Sequence, residues 1–325
     1  MGKSFTFVDL FAGIGGFHLG AAEHGGVCVT ACELNPEGRA IYAANHKVHN
    51  NAIHDDIYTL APMKNVDLVC AGFPCQSHST LGKRRGLHDK RGKLFVRLCE
   101  FIKVSQPRAF LLENVKGLMS STDFEKNIIK PLEDCGYVLS WQILDAKNFG
   151  VPQHRERVFI VGIRVSGQKA KSINRTHFSF KSLELMKKHK TIDTILDTKY
   201  TDVYESEHLE CSIFENAEMF KTPHETSTGF ILRAQLSNFT NRKLFSSHGI
   251  VGTIATSSPP PIYDERNKIV RHLTKKELKA CQGFPASFKF PKDMSRSDVV
   301  YFIGNAVCVN VISAIIKEMI HQDII

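Results

Sequence analysis

The chain has 325 residues, 42% apolar and 23% charged, which is enough for one large domain plus a smaller one. Its 42 lysines and arginines against 33 acidic residues give a net charge of +9. This balance favours a polyanionic partner such as nucleic acid, although a basic enzyme with another substrate has the same balance. Nine cysteines without a C-x-x-C pair, and no apolar run near the ~18 residues of a membrane span, argue against a disulfide scaffold, a zinc site and a membrane protein. We therefore expect a cytoplasmic, metal-free protein.

Short apolar runs alternate with amphipathic, helix-like stretches through the first half of the chain. We predict six strands, over 5–11, 27–33, 66–73, 108–114, 141–146 and 157–163. Strands separated by helices predict an α/β fold with a mostly parallel sheet that is covered on both faces. In such sheets, ligands lie beyond the carboxyl ends of the strands.

The pattern changes after residue 164. The stretch 165–270 is rich in polar residues and has few clean periodicities, so it predicts a second, smaller domain of loops and short strands. The first domain then comprises residues 1–164 and 271–325. An apolar stretch over 305–320 predicts a closing helix that packs back on this first domain.

A glycine-rich turn, DLFAGIGGFHLG at 9–20, follows the first strand. Glycines at such a turn allow a ligand to approach the backbone, and Glu33, at the end of the next strand, has a carboxylate that can accept bonds from ribose hydroxyls. The turn departs from the dinucleotide fingerprint because His18 stands where the third glycine belongs. The sequence therefore indicates either a nucleoside cofactor site or a structural glycine turn.

Cys75 lies in GFPCQSHS, directly after the strand over 66–73. Pro74 turns the chain out of the sheet, and several positive charges follow, which favour the reactive thiolate form of the cysteine. The alternative is a small buried hydrophobe, the interpretation we give to the other eight cysteines.

Two further sites lie at ends of predicted strands. Glu113 follows the apolar run of LLENV, and partial burial there would raise its pKa so that it could act as an acid near neutral pH. The alternative is a glutamate that caps a helix or forms an ion pair. Arg155 and Arg157 precede the strand over 157–163. Residues two apart in an extended segment point the same way, so both guanidinium groups are expected to face one ligand, unless they are simply solvated.

Together and in this order, these sites resemble those of the cytosine-5 DNA methyltransferases. The resemblance continues in RHLTKKELKACQGFP at 271–285 and IGNAVCVNV at 303–311 and covers 1–164 and 271–325. It implies a Rossmann-like catalytic domain, with 165–270 as the target-recognition domain, and it is closest to the compact bacterial restriction-modification enzymes.

The resemblance implies S-adenosylmethionine as the cofactor and S-adenosylhomocysteine as the product. The cofactor residues that it implies are Phe11, Gly13, Gly15, Glu33, Asp56, Ile57, Leu94 and Asn305. Asp55, beside Asp56, is an alternative for the acid that contacts the adenine.

The resemblance also implies the chemistry. The Cys75 thiolate adds to carbon 6 of a flipped-out cytosine while Glu113 protonates ring nitrogen 3. Arg157 holds the base carbonyl and Arg155 supports the cysteine loop or the backbone. These four residues are the expected catalytic set, and no metal takes part.

The substrate that the resemblance implies is double-stranded DNA. The stretch 236–255 is expected to read its sequence, and the expected DNA contacts are Gln76, Ser79, Asn241, Arg242, Lys243 and Thr253. Solvated loop residues or plain phosphate contacts are the alternatives. We expect a monomer, associated with the nucleoid if bacterial, with a cognate restriction endonuclease in the same system as a partner. A tRNA cytosine-5 methyltransferase, a silent DNA-binding regulator and a nicotinamide oxidoreductase are the other functions to separate.

Overall fold

The computed structural model describes residues 4–48, 52–74, 90–120, 123–165, 177–197, 219–220, 222–235, 242–257 and 259–325. The chain forms two compact units. The first unit comprises Met1–Leu144, Glu156–Glu184 and Val311–Ile325, and the second unit comprises Asp145–Arg155 and Leu185–Asn310. These bounds differ from those of the two predicted domains, whose division by role stays a prediction.

The first unit is built on a seven-stranded sheet with helices between its strands. Its strands are β1 Phe5–Leu10, β2 Gly26–Cys32, β3 Ile53–His54, β4 Leu68–Gly72, β5 Ala109–Val115, β6 Tyr137–Asp145 and β7 Glu156–Arg164. Its helices are α1 Gly16–Ala22, α2 Pro36–Asn45, α3 Lys90–Ser105 and the short α4 Lys130–Glu133, which follows a π-helical turn at Glu125–Ile129. The six predicted strands all have counterparts in this sheet, and among its described residues the two-residue β3 is the one strand that was not predicted.

The strand order of this sheet is β3-β2-β1-β4-β5-β7-β6. The five neighbouring strands β3, β2, β1, β4 and β5 are parallel, whereas β7 runs antiparallel to β5. Five of the six residues of the central strand β1 are buried, as expected for a parallel strand that is covered on both faces. The predicted α/β fold with a mostly parallel sheet is confirmed.

The second unit contains a five-stranded sheet of short strands. They are β8 His224–Glu225, β9 Ile231–Gln235, β10 Lys243–Ser246, β11 Ile262–Asp264 and β12 Ile269–Arg271, in the order β12-β11-β10-β9-β8. Its pairs are antiparallel except for β10 with β11. The later helices are α5 Lys275–Cys281, α6 Arg296–Asn305 and α7 Val309–His321.

The closing helix begins later than predicted. Asn305 ends α6, Ala306 is extended with φ −72° and ψ 151°, and α7 starts only at Val309. The carbonyl of Ala306 accepts hydrogen bonds from Arg155 and Gln282 rather than from a following helical turn. By length and composition, Arg296–His321 would suffice to cross a membrane, but 72% of its apolar window is buried in the structure, as in a core helix.

Candidate active site

The glycine-rich turn leaves β1 in an unusual backbone conformation. Phe11, Gly13 and Gly15 all have positive φ, of 53°, 54° and 88°. The amide of Ala12 donates to the Cys32 carbonyl at 2.9 Å, which fixes the start of the turn to β2. A Cβ placed on Gly13 would meet no atom of the described residues within 4 Å, so among them this side of the turn is open to a ligand.

Glu33 joins this turn to the end of β2. Its Oε2 accepts the Gly13 amide at 2.8 Å, and its Oε1 accepts the Asn35 amide at 2.8 Å. A carboxylate has about four acceptor positions, so two backbone bonds leave capacity for ligand hydroxyls. The structure therefore brings together Glu33 and Gly13, two of the predicted cofactor residues.

Three apolar side chains of the predicted cofactor set share one core cluster. Ile57 is buried in this cluster, and Phe11 and Leu94 pack against it while remaining partly exposed. Asp56, next to Ile57, is partly exposed and accepts the Tyr58 amide at 2.9 Å, whereas Asp55 is exposed. These residues lie together in the first unit.

Glu113 and Arg157 form an ion pair in the first unit. The Arg157 Nε lies 3.2 Å from the Glu113 Oε1, and both side chains are largely buried, with 17% and 11% of their surface exposed. A guanidinium at this distance stabilises negative charge on the carboxylate, an effect that the sequence argument from burial alone left out. Glu113 is therefore a carboxyl group that an arginine holds and orients.

The strand end that leads to Cys75 lies beside Glu113. Gly72 is the register partner of Glu113 between β4 and β5, and the Asn114 side-chain Nδ2 donates to the Phe73 carbonyl at 2.9 Å. These contacts fix the backbone that leads to Pro74, which is the last described residue before Cys75. Cys75 and the predicted DNA contacts Gln76 and Ser79 lie outside the described residues.

Arg155 has different partners from Arg157. It belongs to the second unit, is buried, and donates from Nη2 to the carbonyls of Gly304 and Ala306 at 3.0 and 2.9 Å. Asn305 lies between these two residues. The Arg155 guanidinium thus bonds to backbone carbonyls, whereas that of Arg157 pairs with Glu113, and the expectation that both face one ligand stays a prediction.

Sequence reasoning missed Asp145, which organises the segment before Arg155. Its Oδ1 accepts the Arg155 amide at 3.0 Å and its Oδ2 lies 2.6 Å from His154 Nδ1. Burial acts to raise the pKa of Asp145, but the hydrogen bond and charge of His154 hold this pKa below its ordinary value. An acidic residue at the end of an apolar strand, in WQILDA, was the available signal.

The predicted recognition residues are described only in part. Asn241 lies outside the described residues, Arg242 is exposed, and Lys243 begins β10 opposite Gln235. The Thr253 hydroxyl donates to the His154 carbonyl at 2.9 Å. Among the residues that the structure describes, no group of three or more His, Cys, Asp or Glu side chains could hold a metal ion.

Comparison with known proteins supports one family. The chain matches the family model for C-5 cytosine-specific DNA methylase over residues 5–321. It is 34% identical to the Type II methyltransferase M.HpaII of Haemophilus parainfluenzae, covering 98% of this chain and 90% of that protein. It is also 34% identical to the Type II methyltransferase M.DsaV of Dactylococcopsis salina, with coverages of 98% and 86%.

Solved structures have the same fold at lower identity. The S. pombe Dnmt2 methyltransferase superposes with a TM-score of 0.68 at 20% identity, covering 98% of this chain and 99% of that one. A putative DNA modification methyltransferase encoded within a prophage of E. coli gives 0.66 at 19% identity, with coverages of 98% and 99%. The match over nearly the whole sequence and the relatives at 34% identity establish that the chain belongs to the C-5 cytosine-specific DNA methylase family.

Proposed function

We propose that this chain transfers a methyl group to carbon 5 of cytosine within a specific sequence of double-stranded DNA. The observation that carries the proposal is the Glu113–Arg157 pair beside the strand end that leads through Pro74 into Cys75. A base-protonating acid, an arginine for the base carbonyl and a cysteine nucleophile are the groups needed to activate cytosine. Their occurrence in a chain of this family supports the reaction.

The proposed methyl donor is S-adenosylmethionine, on which the enzymes of this family depend. When bound, it supplies an electrophilic methyl group on a positively charged sulfur. The residues present fit it: the turn is open above Gly13, the Glu33 carboxylate has spare acceptor positions, and apolar side chains adjoin them. The residues proposed to hold it are Phe11, Gly13, Gly15, Glu33, Asp56, Ile57, Leu94 and Asn305.

The chain's own residues activate the base. The Cys75 thiolate adds to carbon 6, and Glu113 donates a proton to ring nitrogen 3, so that carbon 5 becomes the nucleophilic carbon of an enamine. Arg157 orients Glu113 and holds the base carbonyl. After carbon 5 has taken up the methyl group, a base removes the carbon 5 proton and the bond between carbon 6 and sulfur breaks, which releases the Cys75 thiolate. Ring nitrogen 3 returns its proton to Glu113, and the aromatic ring is restored.

Arg155 is proposed as a positioning residue. Its buried guanidinium holds the carbonyls on both sides of Asn305 and, at 3.4 Å, the carbonyl of Ile254. Thr253 is tied to the same region through the His154 carbonyl. Arg155 thereby sets the position of one proposed cofactor contact and one proposed DNA contact.

The proposed substrate is duplex DNA from which the target base is flipped out, because carbon 5 and carbon 6 cannot be attacked inside a stacked helix. The net charge of +9 suits phosphate binding. The residues proposed to contact DNA are Gln76, Ser79, Asn241, Arg242, Lys243 and Thr253. The division into a catalytic domain and a recognition domain over 165–270 is part of this proposal.

The biological setting is proposed from the relatives. Both curated relatives are named Type II methyltransferases, which favours a restriction-modification system with a cognate endonuclease as partner. We propose a monomer that acts at the nucleoid. The tRNA alternative is not supported, because the matched family is that of the C-5 cytosine-specific DNA methylases.

Transfer of labelled methyl groups from S-adenosylmethionine to purified DNA and tRNA tests the proposal. We expect label in DNA, as 5-methylcytosine within one short sequence, and none in tRNA. Label in tRNA alone would establish the alternative substrate, and no transfer to either would contradict the proposed enzyme.

A further inference from the structure

A buried polar cluster lies directly behind the glycine-rich turn. Tyr42 and the cap residue His46 stand four residues apart at the end of α2, so both side chains lie on one face. The Tyr42 hydroxyl donates to Asp9 Oδ2 at 3.1 Å, and His46 Nε2 lies 2.9 Å from the Ile14 carbonyl. These two bonds hold the chain on both sides of Phe11.

His18 completes this cluster from α1. Its Nδ1 lies 2.8 Å from the Tyr42 hydroxyl, and its ring centroid lies 4.4 Å from that of His46. The Tyr42 hydroxyl therefore contacts both Asp9 and His18. The contacts therefore join β1, α1 and α2 around the turn.

The two glycines of the turn face different surroundings. A Cβ on Gly15 would lie 2.1 Å from His46 Nε2, whereas in the part of the chain that the structure describes a Cβ on Gly13 would meet nothing within 4 Å. His46 therefore fills the inner side of the turn and the ligand side stays open. A shift of the His46 ring would move the backbone against which it packs.

Such a cluster is costly for a core to contain. Asp9 is fully buried in the central strand, and its Oδ1 has no hydrogen-bond partner among the described residues. Apolar side chains of similar size would stabilise the sheet without this desolvation penalty. Hydrogen bonds are directional, so these polar groups fix the position of the turn relative to α2. Apolar contacts would hold the turn less specifically.

We propose that Tyr42 and His46 are positioning residues that set the backbone of residues 11–15 for S-adenosylmethionine. The inference rests on the proposed cofactor site and extends it to residues that do not touch the ligand. According to this inference, two side chains at the end of α2 affect cofactor affinity by fixing the backbone of the turn.

The test is Tyr42→Phe, which removes one buried hydroxyl and keeps the ring. Tyr137→Phe is the matched control, because Tyr137 is also buried in the first unit and its hydroxyl donates to the Pro107 carbonyl at 2.8 Å. Binding of S-adenosylhomocysteine by calorimetry, and KM and kcat for S-adenosylmethionine, are measured well below both melting temperatures.

We expect Tyr42→Phe to weaken S-adenosylhomocysteine binding and raise the KM for S-adenosylmethionine about 10-fold, because it removes the hydroxyl that bonds to both Asp9 and His18. The kcat at saturating cofactor and the KM for DNA should stay near the wild-type values. Tyr137→Phe should lower the melting temperature with unchanged cofactor affinity. His46→Gln, which keeps a side-chain N–H for the Ile14 carbonyl, should bind more tightly than His46→Ala.

Wild-type affinity in Tyr42→Phe, or an equal loss in Tyr137→Phe, would overturn the proposal. If Tyr42→Phe does not fold, the two His46 variants decide, and equal cofactor affinity in both would overturn it. A wild-type protein that binds no S-adenosylhomocysteine would instead refute the proposed cofactor site itself.

Discussion

Arg157 is the diagonal neighbour of Glu113 across the antiparallel strands β5 and β7. Glu113 lies opposite Phe159 in register, and Arg157, two residues away on β7, projects from the same face, so its Nε reaches within 3.2 Å of Oε1. Because both side chains are mostly buried, their attraction is less screened than that of a surface pair. The antiparallel strand thus brings an arginine to an acid that lies on the parallel part of the sheet.

Changing Glu113 to Gln should lower methyl transfer about 100-fold or more, because the amide keeps the size of the side chain but cannot protonate ring nitrogen 3. Cofactor affinity should change little. Single-turnover methylation and calorimetry measure the two effects. Glu156→Gln is the control, since Glu156 forms a partly exposed pair with Lys116 and should remain active. Full activity in Glu113→Gln would remove this residue from the mechanism.

Cys75→Ala should abolish both turnover and covalent capture by a duplex that carries 5-fluorocytosine, since fluorine at carbon 5 blocks release of the adduct. Denaturing electrophoresis detects the trapped complex. Cys70→Ala is the control: burial raises the pKa of the Cys70 thiol well above its ordinary value, so this thiol stays protonated and unreactive. Trapping that survives in Cys75→Ala would disprove the nucleophile assignment.

Glu33→Ala should weaken S-adenosylhomocysteine binding by about 10- to 100-fold, the range for charge-assisted hydrogen bonds, because it removes the ribose acceptor and leaves the Gly13 amide without its carboxylate. The kcat at saturating cofactor should fall much less. Glu37→Ala, at an exposed position on α2, should bind like wild type. An unchanged affinity in Glu33→Ala would contradict its role.

Arg242→Ala distinguishes base reading from phosphate binding. A contact to a base edge should cost roughly 1–3 kcal/mol and relax specificity at one position of the site, whereas a phosphate contact should weaken all sequences alike and flatten the salt dependence. Methylation sequencing and salt titrations separate the two outcomes. Arg266→Ala, another exposed arginine of the second unit, serves for comparison. Site preference that survives in Arg242→Ala and Lys243→Ala would move recognition elsewhere in 165–270.

Stability should fall as the pH is lowered from about 6.5 towards 4. Burial lowers the pKa of His18 to about 3 and that of His46 to about 4, from an ordinary value of 6.5, so only the unfolded chain takes up these protons in that window. Burial raises the pKa of Asp9, which acts in the opposite direction.

His46→Phe isolates one of these histidines. The slope of unfolding free energy against pH in this window should decrease by about 1.4 kcal/mol per pH unit, the value for one proton, while the contributions of His18 and Asp9 remain. Urea unfolding at several pH values measures the slope. An identical slope in His46→Phe would mean that this histidine is already protonated in the folded protein.

The strands and the order of the sites could be predicted from the sequence because both are local properties. Alternating and continuous apolar runs predict strands from a few adjacent residues. A glycine turn or a Pro-Cys step can likewise be recognised without knowing which distant segments pack against it. The helix boundary at 305–309 could not be predicted, because the carbonyl of Ala306 accepts hydrogen bonds from Arg155 and Gln282, which lie far away in the sequence.

Only the tertiary structure decided the partners of the polar side chains. Arg155 and Arg157 look equivalent in the sequence, yet one binds backbone carbonyls in the second unit and the other binds Glu113 in the first. Asp9 is a charged residue within an apolar strand, and its hydrogen-bond partner Tyr42 comes from α2, a separate element of the fold. The physical reason is range: hydrophobic periodicity is read over a few neighbours, whereas a buried hydrogen bond or ion pair depends on which distant segment packs within about 3 Å.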